Sequence, residues 1–297
     1  TASQVIRDAI AQKHNIARPT ISNTALAQVN RAIDKGDGGA TIAIKRSEVD
    51  GVAGNIVAAW PGFVETMFGI AIDIGSTTVA GHLIDLTTGE VMSSSGVMNP
   101  QIRFGEDLMS RVSYVMMNKG GEKELTTVIR NAINELVHEL ADKADITPDK
   151  ILEVVMVGNP IMHHILLGID PTPLGAAPFV LATSEATFGA AEELDIHLPN
   201  ASFYVGPCIA GHVGADTAAA ILSEGPHRGS SMQLLIDVGT NAEIVLGDTT
   251  RQFAASSPTG PAFEGAQLSC GQRATAGAIE KVRIDPVTFE PRFRAIG

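Results

Sequence analysis

At 297 residues, 44% of them apolar and with a formal net charge of −12, the chain has material for one large core or two modest ones. The acidic balance argues against nucleic acid or an anionic membrane surface as the main partner, and no apolar run approaches the roughly 20 residues that span a bilayer. Two cysteines, Cys208 and Cys270, exclude a disulfide framework and a CxxC metal motif, and fit a reducing, cytoplasmic compartment.

Residues 1–65 are expected to form a small α+β unit. Apolar spacing at Val5, Ile6 and Ile10 predicts a helix over 3–15. A second, over 24–33, runs into the breaker Lys35-Gly36-Asp37-Gly38-Gly39. Residues 41–44 and 55–60 read as strands, closed by Pro61-Gly62.

A second domain is expected over 66–297. It opens with a buried strand at 68–73, the loop Gly75-Ser76-Thr77-Thr78, a strand at 79–86, and the turn Thr87-Thr88-Gly89-Glu90 into a third strand. The clearest helix follows, with Leu125, Val128, Ile129, Ala132, Ile133, Leu136, Val137 and Leu140 on one stripe. Thr147-Pro148 reads as an N-cap and first helical residue, and a strand at 154–157 enters Gly158-Asn159-Pro160. Residues 170–205, rich in Pro, Gly and Ala, give no clear elements. Beyond them come a small-residue helix at 215–222 and a buried strand at 234–237. A tight turn leads to a strand at 243–246, and the turn Gly247-Asp248-Thr249-Thr250 to a strand ending at Ser257.

Two of these regions repeat one design. Ile72-Asp73-Ile74-Gly75-Ser76-Thr77 recurs as Ile236-Asp237-Val238-Gly239-Thr240-Asn241, the aspartates lying 164 residues apart, which suits one hairpin in each of two lobes. Glycine lets a phosphate approach the backbone closely, and the hydroxyls of Ser76, Thr77, Thr78 and Thr240 can bond its oxygens. Asp73 and Asp237, each ending a strand, are candidates to hold Mg²⁺ through water. Each loop enters a strand and not a helix, which excludes a P-loop and a Rossmann fingerprint.

With these motifs the chain resembles the superfamily of acetate and sugar kinases, heat-shock chaperone ATPases and actin. The hairpins look like its two phosphate motifs, and Gly214-Ala215-Asp216-Thr217-Ala218-Ala219-Ala220 is similar to its connecting helix. Three further blocks narrow the resemblance. One is Asn99-Pro100-Gln101 with Phe104-Gly105-Glu106-Asp107 and Arg111. Another is Gly158-Asn159-Pro160-Ile161-Met162-His163-His164 with Leu166-Leu167-Gly168. The third runs from Ser257-Pro258-Thr259-Gly260-Pro261-Ala262-Phe263-Glu264-Gly265-Ala266 to Cys270-Gly271. Together they resemble the ATP-dependent reductive activators of corrinoid proteins.

The resemblance implies actin-like ATPase (ribonuclease H-like) lobes of α/β class with mixed sheets, and ATP and Mg²⁺ as cofactors. Gly75, Ser76, Thr77, Thr78, Gly239, Thr240 and Asn241 would contact the nucleotide, alongside Asp73 and Asp237. It further implies a corrinoid protein or cobalamin-dependent methyltransferase as partner, and an electron donor feeding a [2Fe–2S] domain outside these residues. The first residue is Thr and the adenosine motif is not evident, so an internal fragment of a longer protein is expected. A homodimer is left open.

Asp216 falls where related ATPases keep the group that orients the attacking water; an ordinary aspartate at a helix N-terminus reads equally well. Asn159 could reach the γ-phosphate or its water, or be a turn asparagine. For Arg111, four residues after Asp107, a local ion pair is expected, and for His163-His164 a core or capping role. A small-molecule kinase and a non-catalytic nucleotide-sensing module are the alternative functions, although no cluster of sugar-binding polar residues is evident between 90 and 230.

Overall fold

In the computed structural model, residues 1–14, 16, 19–46, 54–259 and 275–297 are described. Residues 260–266 and 270–271 of the third sequence block lie outside them. The expected helices and strands of the N-terminal unit form as α1 (Ala2–His14), β1 (Thr20–Ile21), α2 (Asn23–Lys35), β2 (Ala40–Lys45) and β3 (Asn55–Pro61). The Ser22 hydroxyl caps α2 by accepting from Ala25 N–H at 3.1 Å. Val29 and Ala32 of α2 then seal Ile56 and Ala59 of a three-stranded sheet in the order β1-β3-β2.

The chain continues through β4 (Phe68–Ile74), β5 (Thr78–Asp85), β6 (Val91–Met98), α3 (Leu108–Met117), α4 (Gly121–Lys143), β7 (Ile151–Gly158), α5 (Pro160–Leu167), β8 (Thr187–Ala190), β9 (Ser202–Val205) and α6 (Ala215–Glu224). Thr147-Pro148 does open a helical turn, but a 3-10 turn of three residues, because β7 begins at Ile151. The unassigned 170–205 stretch holds two 3-10 turns, the edge strand β8 and its neighbour β9.

These strands form one mixed sheet in the order β6-β5-β4-β7-β9-β8, with β4, β7 and β9 parallel. Alternation decides which way β4 faces. Phe68, Ile70, Ile72 and Ile74 point into the core, while Gly69, Ala71 and Asp73 occupy the other face. The core face is sealed by α4, whose Leu125, Ile129, Ile133, Leu136 and Leu140 are 0% exposed, each worth about 1.5–3 kcal/mol of burial.

The second repeat folds as β10 (Gln233–Val238), β11 (Asn241–Gly247) and β12 (Gln252–Pro258), an antiparallel sheet, followed by the hairpin β13 (Ile279–Ile284) and β14 (Pro291–Ala295). One expectation fails here. The strand at 234–237 forms but is not buried, with Leu234, Ile236 and Val238 being 59%, 50% and 72% exposed. Their counterparts in β4 lie under α4; among the described residues, no helix seals this face of β10 in the same way.

Candidate functional site

The turns after β4 and β10 meet. Ser76 Oγ stands 3.1 Å from Thr240 Oγ1, so two segments 164 residues apart in sequence come within hydrogen-bond distance. Register shows how far the turns correspond. Ile74 pairs with Val79, but Val238 pairs with Ala242, so the second turn is one residue shorter. The match read from sequence therefore shifts by one after the glycine. Thr78, which pairs with Met98, corresponds to Asn241, which pairs with Pro258, and Ser76 is the extra residue.

The aspartates stand at the penultimate positions of β4 and β10, Asp73 on the face of β4 away from the core and Asp237 close enough for its charge to act on it. Desolvation, then the charges of Asp216 and Asp237, pushes the Asp73 carboxyl up to about 6. Asp216 lies in the first turn of α6, where its Oδ1 accepts from Thr217 N–H at 2.7 Å. Burial raises its pKa, Thr217 opposes that, and Asp237 adds to it.

Sequence reading missed Glu243. It lies directly across the ladder from Asp237, on the same face, and its Oε1 accepts from Ser256 Oγ at 3.0 Å. Desolvation raises its pKa, and the charges of Asp216 and Asp237 push the same way. The hairpin register carried the signal, since a three-residue turn puts 237 opposite 243. Among the described residues the charges shifting Asp73, Asp216 and Glu243 are all carboxylates. No three His, Cys, Asp or Glu side chains among those residues gather closely enough to ligate a metal directly. Asp73, Asp216, Asp237 and Glu243 offer carboxylate oxygens, the donor type that a hard cation such as Mg²⁺ takes directly or through water.

Asn159 caps α5, its Oδ1 accepting from Met162 N–H at 3.0 Å. The N-terminus of α6 presses on this turn: a Cβ on Gly214 would stand 2.5 Å from Gly158 O and 2.6 Å from Asn159 Cα. The starts of α5 and α6 are thus held together beside the first hairpin. His163 and His164 are buried core residues, His164 donating from Nδ1 to Pro160 O at 2.8 Å and accepting at Nε2 from Ala182 N–H at 3.0 Å.

Arg111 overturns its expectation. The Asp107 carboxylate caps α3 by accepting from Ser110 N–H at 2.7 Å, and no ion pair with Arg111 forms. Arg111 is instead fully buried and donates to Gly105 O at 3.1 Å, Gln101 Oε1 at 3.3 Å and Ser76 O. Burial lowers its pKa to about 10.

Residues 68–229 match the family model described as the RACo middle region, and residues 231–297 the C-terminal domain of RACo, the ASKHA domain. The chain belongs to the RACo family. The junction of the two RACo models falls between α6 and β10, so each hairpin lies in a different one. A solved RACo-type structure, a "reductive activator for corrinoid,iron-sulfur protein", superposes with a TM-score of 0.77 at 30% identity, over 99% of this chain and 47% of that one. The corrinoid activation enzyme RamQ of Eubacterium limosum is 38% identical over 218 residues, 73% of this chain and 36% of that protein. A [Co(II) methylated amine-specific corrinoid protein] reductase of Methanosarcina barkeri is 29% identical over 227 residues, 73% of this chain and 41% of that protein. The chain thus spans less than half the length of each. The actin-like, mixed α/β fold expected from the two hairpins is the fold of this family. Among the described residues no helix is long and apolar enough to cross a membrane.

Proposed function

We propose that this chain supplies the phosphate-gripping cleft of a protein that uses ATP to drive reduction of a corrinoid partner's cobalt from Co(II) to Co(I). The observation that carries the proposal is the meeting of the two hairpins, Ser76 Oγ to Thr240 Oγ1 at 3.1 Å, beside the carboxylates Asp73, Asp216 and Asp237. The relatives named for corrinoid activation and Co(II) reduction give the cleft its context.

In this reading Gly75 and Gly239 let the triphosphate approach both turns, while Ser76, Thr77, Thr78, Thr240 and Asn241 bond its oxygens. Asp73 and Asp237 would hold Mg²⁺ through water, with Glu243 beside them; bound there, it would neutralise phosphate charge and orient the triphosphate. Asp216, whose raised pKa suits a group that accepts a proton, orients the attacking water from the start of α6. Asn159 offers its side-chain amide, the carbonyl oxygen being committed to the α5 cap. Closure of the lobes on ATP favours one arrangement, and that arrangement grips the corrinoid partner, a population shift driven by differential affinity. The electron arrives from a donor outside these residues, since two cysteines fall short of the four thiolates that a plant-type [2Fe–2S] cluster takes.

The test is optical. With reductant and a Co(II) corrinoid protein, the intact protein should speed loss of the Co(II) band only when ATP is present, and Asp237→Ala should abolish that gain. Equal rates with and without ATP would refute the proposal.

A further inference from the structure

The backs of the two phosphate turns are tied by one device used twice. In the first turn, Asn99 follows β6. Its side-chain Nδ2 donates to Gly75 O at 2.8 Å, and its backbone N–H donates to Thr77 O at 2.8 Å. In the second, Thr259 follows β12 at the corresponding position. Its Oγ1 donates to Gly239 O at 2.7 Å, and its backbone N–H donates to Thr240 O at 3.2 Å. The first turn holds one more residue, Ser76, and its additional carbonyl is the one Arg111 takes. Asn99 and Arg111 share a buried neighbour, Met162 Sδ, at 3.7 and 3.3 Å, so these donors lie on one side of the turn.

A planar trans peptide points its N–H away from its C=O. Carbonyls of Gly75, Ser76 and Thr77 drawn into the protein therefore turn the N–H groups of Ser76, Thr77 and Thr78 outward. The carbonyls of Gly239 and Thr240 likewise turn out the N–H groups of Thr240 and Asn241. Among the described residues, the N–H groups of Ser76, Thr77 and Thr240 meet no protein acceptor. Successive N–H groups on one side are how helix N-termini and backbone nests hold anions.

We infer that Asn99, Arg111 and Thr259 are positioning residues that aim two facing N–H nests at the phosphates. This rests on the reading of the hairpins as phosphate sites and adds what holds them in that conformation. A buried guanidinium bound to carbonyls, with no carboxylate partner in its hydrogen-bond set, is an expensive way merely to fill a core, and its specific product is the orientation of the Ser76 peptide.

The test uses the intact protein and two probes, inorganic tripolyphosphate and adenosine, in calorimetry. Thr259→Val removes a donor at constant volume, Arg111→Met removes the guanidinium, and Asn99→Val is compared with Asn99→Thr, which restores a hydroxyl like that of Thr259. Thr259→Val, Arg111→Met and Asn99→Val should each weaken tripolyphosphate by about tenfold, the scale of one hydrogen bond, with adenosine unchanged. Asn99→Thr should recover affinity relative to Asn99→Val. If Arg111→Met fails to fold, Thr259→Val and the Asn99 pair decide. Unchanged tripolyphosphate affinity, or adenosine falling in step with it, overturns the proposal whatever happens to melting temperature. Wild-type protein that binds adenosine but not tripolyphosphate overturns the phosphate reading as well.

Discussion

Gly214→Ala should separate the two helix starts packed together beside the first hairpin. The added Cβ would lie 2.5 Å from Gly158 O, 2.6 Å from Asn159 Cα and 2.7 Å from Asp216 Oδ1, where ordinary contact begins at 3.4 Å. The first shortfall, 0.9 Å, is against backbone, so α6 or the β7–α5 turn must move by most of that distance. Gly214 has φ −93°, so the need is for space and not for a left-handed conformation. Overpacking of this kind destabilises by about 1–3 kcal/mol, which for a chain of this size lowers Tm by roughly 2–10 °C. A displacement near 1 Å of Asp216 should cost up to about 100-fold in ATP hydrolysis. Thermal unfolding and phosphate release in the intact protein measure both. Wild-type Tm together with wild-type turnover would refute the packing reasoning and the placement of Asp216.

Gly239→Ala should behave in the opposite way. Its Cβ would meet only Asn241 O, at 3.5 Å, so stability should stay within about 0.5 kcal/mol while tripolyphosphate binding weakens by about tenfold; equal affinity would place the phosphates elsewhere. Asp73→Asn should stabilise the metal-free protein above pH 6. The Asp73 carboxyl titrates near 6 when folded against 3.8 otherwise, so the folded state binds more protons between those values and loses stability as pH rises through them. Wild type and variant should converge by pH 4 in denaturant titrations, and a constant gap would count against the carboxylate field. His163 has the reverse sign. Burial, then His164, lowers its ring from 6.5 to about 4, so the unfolded chain takes up the proton first and about 3 kcal/mol is lost as pH falls through that window. His163→Leu should flatten the acid limb of the stability curve, and an unchanged limb would show that another group sets it.

How much of this was legible in sequence depended on whether the deciding contacts were local. α4 could be read because one stripe at helical period is apolar throughout, and burial follows that stripe. The hairpins could be read because Asp-x-Gly-Ser/Thr occurs twice between strand patterns. The one-residue offset of the turns could not, since both copies align through the glycine and only strand pairing shows the extra Ser76. Arg111 was misread because its visible neighbour was Asp107, whereas its partners lie 6, 10, 35 and 51 positions away. Exposure of β10 was also hidden, because an apolar strand pattern does not say whether a helix lies over it.

The extra residue in the first turn has an evolutionary consequence. Removing Ser76 alone would bring that turn to the length of its twin but leave the buried Arg111 short of an acceptor. Losing Arg111 alone would leave a part-buried carbonyl without its donor. Each step is deleterious without the other, so the serine and the arginine, 35 positions apart, are expected to be inherited as a pair. Two turns built to one plan have thereby ceased to be interchangeable, and a graft of the second into the first should succeed only when position 111 is changed with it.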